Sequence, residues 1–355
     1  MAAGLYLHIP FCRSRCDYCS FVSCCDTKLA EEYYQKVKEQ AEKISYGGEF
    51  DTVYFGGGTP SAVPKLLEKL YGLCCRTFSI RKNSEITVEC NPDSVDDELI
   101  SVLKKINCNR VSLGLQSTDD AILASVGRRH NFEQFAVAVQ KIREVTTNIS
   151  ADIMLGLPMQ TVESAVESVN LALDFGIKHI SVYALKVEDG TPLKSRGYTV
   201  DEDMQADMYD AVYEAVQKRG FERYEVSNFS LPGYESKHNL KYWNLEDYVG
   251  LGAAAHSYYG SKRYEGVGLK EFLAGQETIA EDVSEEFDEE LIMLSLRCCG
   301  VLELDRLKNK IKFLMEKKSK IDELKSKGLI EVKDGFLRLT KDAFYLMNSV
   351  IVELI

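Results

Sequence analysis

The chain has 355 residues, of which 45% are hydrophobic and 28% charged, and a formal net charge of −12. These values are ordinary for a folded globular protein and exclude an intrinsically disordered or fibrous chain. The acidic balance argues against general attraction to nucleic acid or anionic membrane, and no apolar run approaches the roughly 18 residues that span a bilayer. Met1 to Gly4 run straight into a strand-like segment with no basic, apolar or cleavage region, so a cytoplasmic location is expected. Eleven cysteines without a secretion signal do not read as a disulfide framework.

The first predicted strand, Leu5–Ile9, carries Tyr6 and His8 and leads into Cys12-Arg-Ser-Arg-Cys16-Asp-Tyr18-Cys19. Three thiolates on one tight loop can hold three irons of a cubane cluster and leave the fourth iron open to another ligand. Two other readings stand beside it: a structural zinc site borrowing Cys24 or Cys25, or reduced core thiols. Amphipathic segments at 28–43, 61–72, 95–105, 131–145, 161–175 and 203–218 alternate with further strands at Thr52–Phe55, Glu85–Glu89, Arg110–Gly114, Ile149–Leu155 and His179–Ala184. Gly176 falls where a helix C′ residue belongs. Such alternation builds βαβ units, and six of them predict an α/β fold with a partial (β/α)6 barrel.

Barrel active sites lie at the C-terminal ends of the strands. There the second strand delivers Gly56-Gly57-Gly58-Thr59-Pro60, whose glycines permit close backbone approach to a ligand. The third delivers Glu89, Cys90 and Asn91, and the fourth Gln116; a carboxylate and an amide suit the hydroxyls and polar edge of a nucleoside. Arg128 follows, Asp152 sits in the fifth strand, and Ala184 closes the sixth. Cys74, Cys75, Cys90, Cys108, Cys298 and Cys299 read as ordinary small hydrophobes.

Beyond residue 220 the chain carries Tyr224-Glu-Val-Ser-Asn-Phe229, then His238-Asn-Leu-Lys-Tyr242-Trp243, then a small-residue stretch ending at His256. Residues 271–290 hold nine acidic side chains and no basic one, whereas 301–355 hold twelve Lys or Arg against nine Asp or Glu. That contrast marks an acidic linker, and three domains are expected: 1–230, 231–284 and 285–355. Helical segments 287–297 and 304–326, followed by a hairpin turning at Asp334-Gly335, predict a winged-helix-like fold in the last. Nucleic-acid binding is the weakest functional reading, given the total charge.

CxxxCxxC with an aromatic before its last cysteine resembles the signature of the radical S-adenosylmethionine (SAM) family. The resemblance implies a [4Fe-4S] cluster on Cys12, Cys16 and Cys19, with SAM chelated at the open iron. The glycine turn resembles that family's GGxTP motif, which assigns Gly57, Gly58 and Thr59 to SAM. Similarity to its oxygen-independent coproporphyrinogen dehydrogenases adds Tyr6, Tyr18, Glu89, Gln116, Arg128, Asp152 and Ala184 as SAM-binding residues.

Those dehydrogenases carry a fourth cysteine where this chain has Phe21, and a phenyl ring cannot replace a thiol in proton or hydrogen transfer. The HNxxYW element of residues 238–243 instead resembles the HemW-type heme chaperones of the same family. That resemblance implies heme or a related tetrapyrrole as ligand and an apo-hemoprotein as acceptor. A homodimer and a transient membrane-protein partner stay open, and no nucleic-acid partner or membrane insertion is expected. His238, Tyr242 and Trp243 are the candidate heme contacts. The residues alone favour docking of this segment on the barrel; the family pattern favours His238 as an iron ligand. His256 is placed beside SAM or heme, with a core position as its alternative. The competing function is an oxidoreductase that decarboxylates coproporphyrinogen III to protoporphyrinogen IX, which would make the chain an enzyme.

Overall fold

The computed structural model describes residues 2–276, 278–283, 286–298 and 300–355. Cys299, and Ser284 and Glu285 of the acidic linker, lie outside the described residues. Strands β1 (Ala3–Ile9), β2 (Glu49–Gly57), β3 (Ser79–Cys90), β4 (Arg110–Gln116), β5 (Ile149–Leu155) and β6 (His179–Ala184) lie side by side in chain order, each parallel to the next. The connections run through α1 (Ala30–Lys43), α2 (Pro64–Thr77), α3 (Asp97–Lys105), α4 (Asp120–Ser125), α5 (Phe132–Ile142) and α6 (Val162–Asp174). All six parallel strands therefore point their C-terminal ends the same way.

Local chemistry sets these boundaries. Asp96 accepts from the Leu99 amide at the start of α3, and Asn131 with Gln134 and Thr161 with Ser164 form reciprocal caps on α5 and α6. Gly176 takes φ +64 behind α6, a left-handed turn that costs glycine nothing. Strands buried on both faces, such as β4 with every residue buried, read as near-continuous apolar runs because helices cover the sheet. One core joins them, including Leu7, Phe55, Val88, Leu113, Ile153 and Val182.

After β6 come α7 (Pro192–Ser195), α8 (Glu202–Lys218), β7 (Glu222–Arg223) and β8 (Asn228–Ser230). Strand β8 pairs antiparallel with β6. Helix α9 (Lys237–Trp243) then returns the chain to the opposite edge, where β9 (Tyr248–Leu251) pairs parallel with β1. The sheet continues through β10 (Ser257–Tyr259) and β11 (Lys262–Glu265), and after α10 (Leu269–Leu273) through β12 (Ile279–Asp282). Among the described residues it thus has twelve strands and stays open, flanked by β12 and β7. The six added strands are two to four residues long, too short to carry a period, and β11 reads Lys-Arg-Tyr-Glu, so they are absent from the sequence expectation.

The C-terminal segment contains α11 (Phe287–Arg297), β13 (Val301–Glu303), α12 (Lys310–Glu316), α13 (Lys318–Ser326), β14 (Ile330–Lys333), β15 (Phe336–Leu339) and α14 (Met347–Leu354). The helix expected over 304–326 is broken, with Lys317 separating α12 from α13. Strands β13, β15 and β14 form a small antiparallel sheet, and Asp334 and Gly335 turn the hairpin with φ +53 and +82. A separate core of Leu291, Leu302, Phe313, Leu324, Leu337 and Ile351 holds this segment, and Val226 and Leu245 pack against it. No helix among the described residues is long and apolar enough to cross a membrane.

Candidate functional site

The cysteine loop is an excursion closed at its base. The Cys12 amide donates to Cys24 O at 2.9 Å and the Cys24 amide to Pro10 O at 2.6 Å. Its far side is tied to the barrel: the Asp17 amide bonds Val126 O at 3.0 Å, the Leu193 amide bonds Asp17 O at 2.9 Å, and the Asp17 carboxylate pairs with Arg196. Burial pushes the Cys12 thiol up to about 11, partly offset by Thr59 Oγ1, which donates to Cys12 Sγ at 3.4 Å. Burial also raises Cys19. Such thiols bind metal with release of their protons.

Cys12, Cys16 and Cys19 line one chamber of about 390 Å³, together with Tyr18, Gly57, Gly58, Thr59, Glu89, Gln116, Arg128 and Asp152. Strand ends far apart in sequence, from the loop after β1 to the end of β6, meet there because the parallel sheet aligns them. The glycine turn has a more specific duty than the sequence suggests. A Cβ at Gly57, where φ is +110, would strike the His8 ring, and one at Gly58 would meet backbone atoms of residues 9–11 at 2.9 to 3.0 Å. Gly58 and Thr59 amides donate to Ile9 O and Phe11 O at 2.9 and 2.8 Å. The close approach these glycines allow is to the stem of the cysteine loop.

Arg128 is half-buried. Its Nη2 donates to Gly114 O at 2.5 Å and Asn91 Oδ1 at 2.9 Å, and its Nη1 lies 3.5 Å from Cys16 Sγ. Gln116 closes β4 with φ +63 at an irregular register. Among the described residues its Oε1 and Arg128 Nε are buried without hydrogen-bond partners, the condition of groups that await a polar ligand. Burial, then repulsion from Asp152, pushes Glu89 up to about 7 against the opposing bonds from Tyr54 and the Gly57 amide. Burial likewise raises Asp152, whose Oδ1 accepts from Ser112 Oγ at 3.1 Å. Among the described residues no three His, Cys, Asp or Glu side chains converge on a single metal ion. Three thiolates on one loop suit a cubane, whose irons take one thiolate each.

A second chamber of about 940 Å³ adjoins the first and shares Ser20, Phe21, Gly57, Glu89 and Tyr183 with it. Its remaining lining includes Tyr6, Tyr54, His238, Tyr242, Trp243, Tyr248 and His256. Phe21, 68% exposed, stands in the common wall. Tyr6 and His256 therefore line this chamber rather than the cysteine chamber. Ala184 ends β6 between Tyr183 and Leu185, both of which line the cysteine chamber.

The HNxxYW element forms α9, begun by Ser236, whose Oγ accepts from the Asn239 amide. His238 is buried with both ring nitrogens engaged: Nδ1 meets Thr52 Oγ1 at 2.7 Å and Nε2 meets the Tyr242 hydroxyl at 2.7 Å. Its ring stacks on Tyr54 with centroids 5.1 Å apart, and its amide donates to Glu85 Oε1. Burial, with Lys241 and Arg110 nearby, lowers its pKa to about 3. In this structure the imidazole docks α9 on β2 while still lining the larger chamber. Sequence reading missed Tyr54, which lines the larger chamber, Tyr183, which lines both, and buried Arg110, whose charge offsets Glu89 and Asp152. Its one signal was a charged residue opening an apolar strand.

Comparison with known proteins agrees with this architecture. The Radical SAM superfamily model matches residues 6–172. A heme chaperone HemW of Lactococcus lactis subsp. lactis (strain IL1403) is 34% identical over 97% of this chain and 95% of its own length. A heme chaperone HemW of Bacillus subtilis (strain 168) is 34% identical, with 97% of each chain covered. The structure of the coproporphyrinogen III oxidase HemN from Escherichia coli, a radical SAM enzyme, superposes with a TM-score of 0.87 over 99% of this chain and 90% of that one, at 18% identity, which shows a shared fold. Membership implies a [4Fe-4S] cluster and SAM as the family's cofactors, and the chain belongs to the radical SAM superfamily and, within it, to the HemW heme chaperone family.

Proposed function

We propose that this protein binds heme in the larger chamber and passes it to an apo-hemoprotein, with a [4Fe-4S] cluster and SAM held in the smaller one. The supporting observation is the pair of adjoining chambers with a common wall. In this reading Cys12, Cys16 and Cys19 each hold one iron. A cluster with one open iron supplies an electron and a site for the amino and carboxylate groups of SAM. Gly57, Gly58, Thr59, Glu89, Gln116, Arg128 and Asp152 surround that ligand's polar groups, with Tyr18 and Ala184 at its margins and Tyr6 facing the adjoining chamber. Gln116 Oε1 and Arg128 Nε gain partners, and Glu89 holds or releases a proton near neutral pH.

The larger chamber lies toward the upper end of ligand-site volumes, and Tyr6, Tyr54, Tyr242 and Trp243 offer flat apolar area to a macrocycle. Residues 1–230 supply the cofactor chamber, 231–284 bring α9 and His256 to its neighbour, and 285–355 form the attached winged-helix-like unit. The oxidoreductase reading is disfavoured by Phe21, which stands in the common wall and carries no transferable proton. Spectroscopic heme titration, followed by incubation with an apo-hemoprotein, tests the proposal. Saturable binding with transfer of the chromophore supports it, and failure to bind heme rejects it.

A further inference from the structure

Of the five histidines in the chain, four are occupied inside the fold. His8 bonds the Tyr6 hydroxyl and Val22 O, and His130 bonds Leu115 O. His179 bonds Ser150 and Tyr224, and His238 bonds Thr52 and Tyr242. His256 alone is exposed, lines the larger chamber, and has neither ring nitrogen engaged among the described residues.

Its backbone is held where its side chain is free. His256 follows the turn 252–255, in which Gly252 has φ +97 and Ala254 φ +55. The Gly252 amide donates to Gln40 Oε1 at 2.8 Å, the Ala253 amide to the Tyr33 hydroxyl at 3.0 Å, and the Ala254 amide to Val267 O at 2.7 Å. A left-handed alanine is an uncommon and costly conformation, kept only when its surroundings over-determine it, and such positions cluster at functional sites. Gly250 admits the His256 carbonyl so closely that a Cβ there would overlap it. The segment thus presents one exposed imidazole on a pinned turn at a large, aromatic-lined cavity, where a ring nitrogen is open to the metal of a macrocycle.

We infer that His256, not His238, is the axial ligand through which the larger chamber holds the iron of a tetrapyrrole. The inference rests on the heme-binding reading above and names the bond that anchors the cargo.

Heme titration of the wild-type protein, His256→Ala and His238→Gln, read by the Soret and visible bands, tests it. His256→Ala is expected to weaken heme binding by more than the roughly tenfold that losing even an outer-shell partner of a metal site costs. Its spectrum should lose the histidine-ligated form, and added imidazole should restore it. His238→Gln should keep the wild-type spectrum. Loss of the histidine-ligated spectrum in His238→Gln with His256→Ala unaffected overturns the inference. Unchanged affinity and spectrum in His256→Ala overturn the inference while leaving heme binding intact. Lost affinity that imidazole does not restore overturns it as well, because His256 would then act on chamber shape. Failure of the wild-type protein to bind heme overturns the underlying reading instead.

Discussion

The Tyr54 hydroxyl donates a 2.8 Å hydrogen bond to Glu89 Oε1, and this bond crosses the boundary between the two chambers. Glu89 lines both, and its second oxygen accepts from the Gly57 amide at 3.1 Å. The glycine turn beside the cysteine loop and the aromatic wall of the larger chamber therefore share one carboxyl group, itself held near neutrality by burial.

Glu89 should make stability fall with rising pH. Its folded pKa of about 7 lies above the ordinary carboxylate value, so the protonated form favours the fold below about pH 4.5, and that contribution is lost as pH rises through 7. Glu89→Gln, which mimics the neutral group, should gain on wild type by about 3 kcal/mol between pH 4.5 and 7. Urea denaturation of both proteins at the two pH values measures the difference; parallel pH profiles would refute it.

His238→Ala should destabilise the protein by about 3 kcal/mol or more. It removes two buried hydrogen bonds, leaves Thr52 Oγ1 and the Tyr242 hydroxyl short of partners, and opens a cavity beside Tyr54. The pH dependence has the opposite sign to that of Glu89. Because the folded pKa is lowered to about 3, stability present above pH 6.5 is lost as pH falls, and wild type should lose about 2 kcal/mol more than the variant between pH 7 and 5. Denaturant midpoints at both pH values decide it, and equal shifts in the two proteins would count against a buried neutral imidazole.

Cys16→Ala should abolish reconstituted cluster, whereas Cys24→Ala and Cys25→Ala should retain it. Neither Cys24 nor Cys25 lines the 390 Å³ chamber that holds the triplet. Iron and sulfide content with visible absorbance measures this, and a full cluster in Cys16→Ala would require another thiolate.

Gly58→Ala should lower cluster content without touching a cysteine. The added methyl would sit 2.9 Å from Pro10 C and 3.0 Å from Phe11 O, forcing the turn off the stem of the cysteine loop. A variant that reconstitutes as completely as wild type would show that the stem tolerates the shift.

The parallel core was legible because its strands are long, apolar and bounded by helices with caps: His179–Ala184 and Ile149–Leu155 fall where the residues place them. The cysteine chamber was legible too, since motifs at successive strand ends converge in any parallel sheet. Pairing and solvation were not. Nothing in the letters distinguishes His238, locked between Thr52 and Tyr242, from His256, exposed on a pinned turn. Nor does spacing show that Tyr6 faces the larger chamber, or that strands as short as Tyr248–Leu251 extend the sheet past β1. Those facts depend largely on partners distant in sequence, such as Thr52 for His238 and β1 for β9.

The most direct test is anaerobic incubation of the reconstituted protein with SAM, a reductant and coproporphyrinogen III, followed by chromatography, with heme titrated in parallel. Saturable heme binding with no decarboxylated product is the expected result. Protoporphyrinogen formed in multiple turnovers would contradict the account and show that Phe21 does not bar the chemistry.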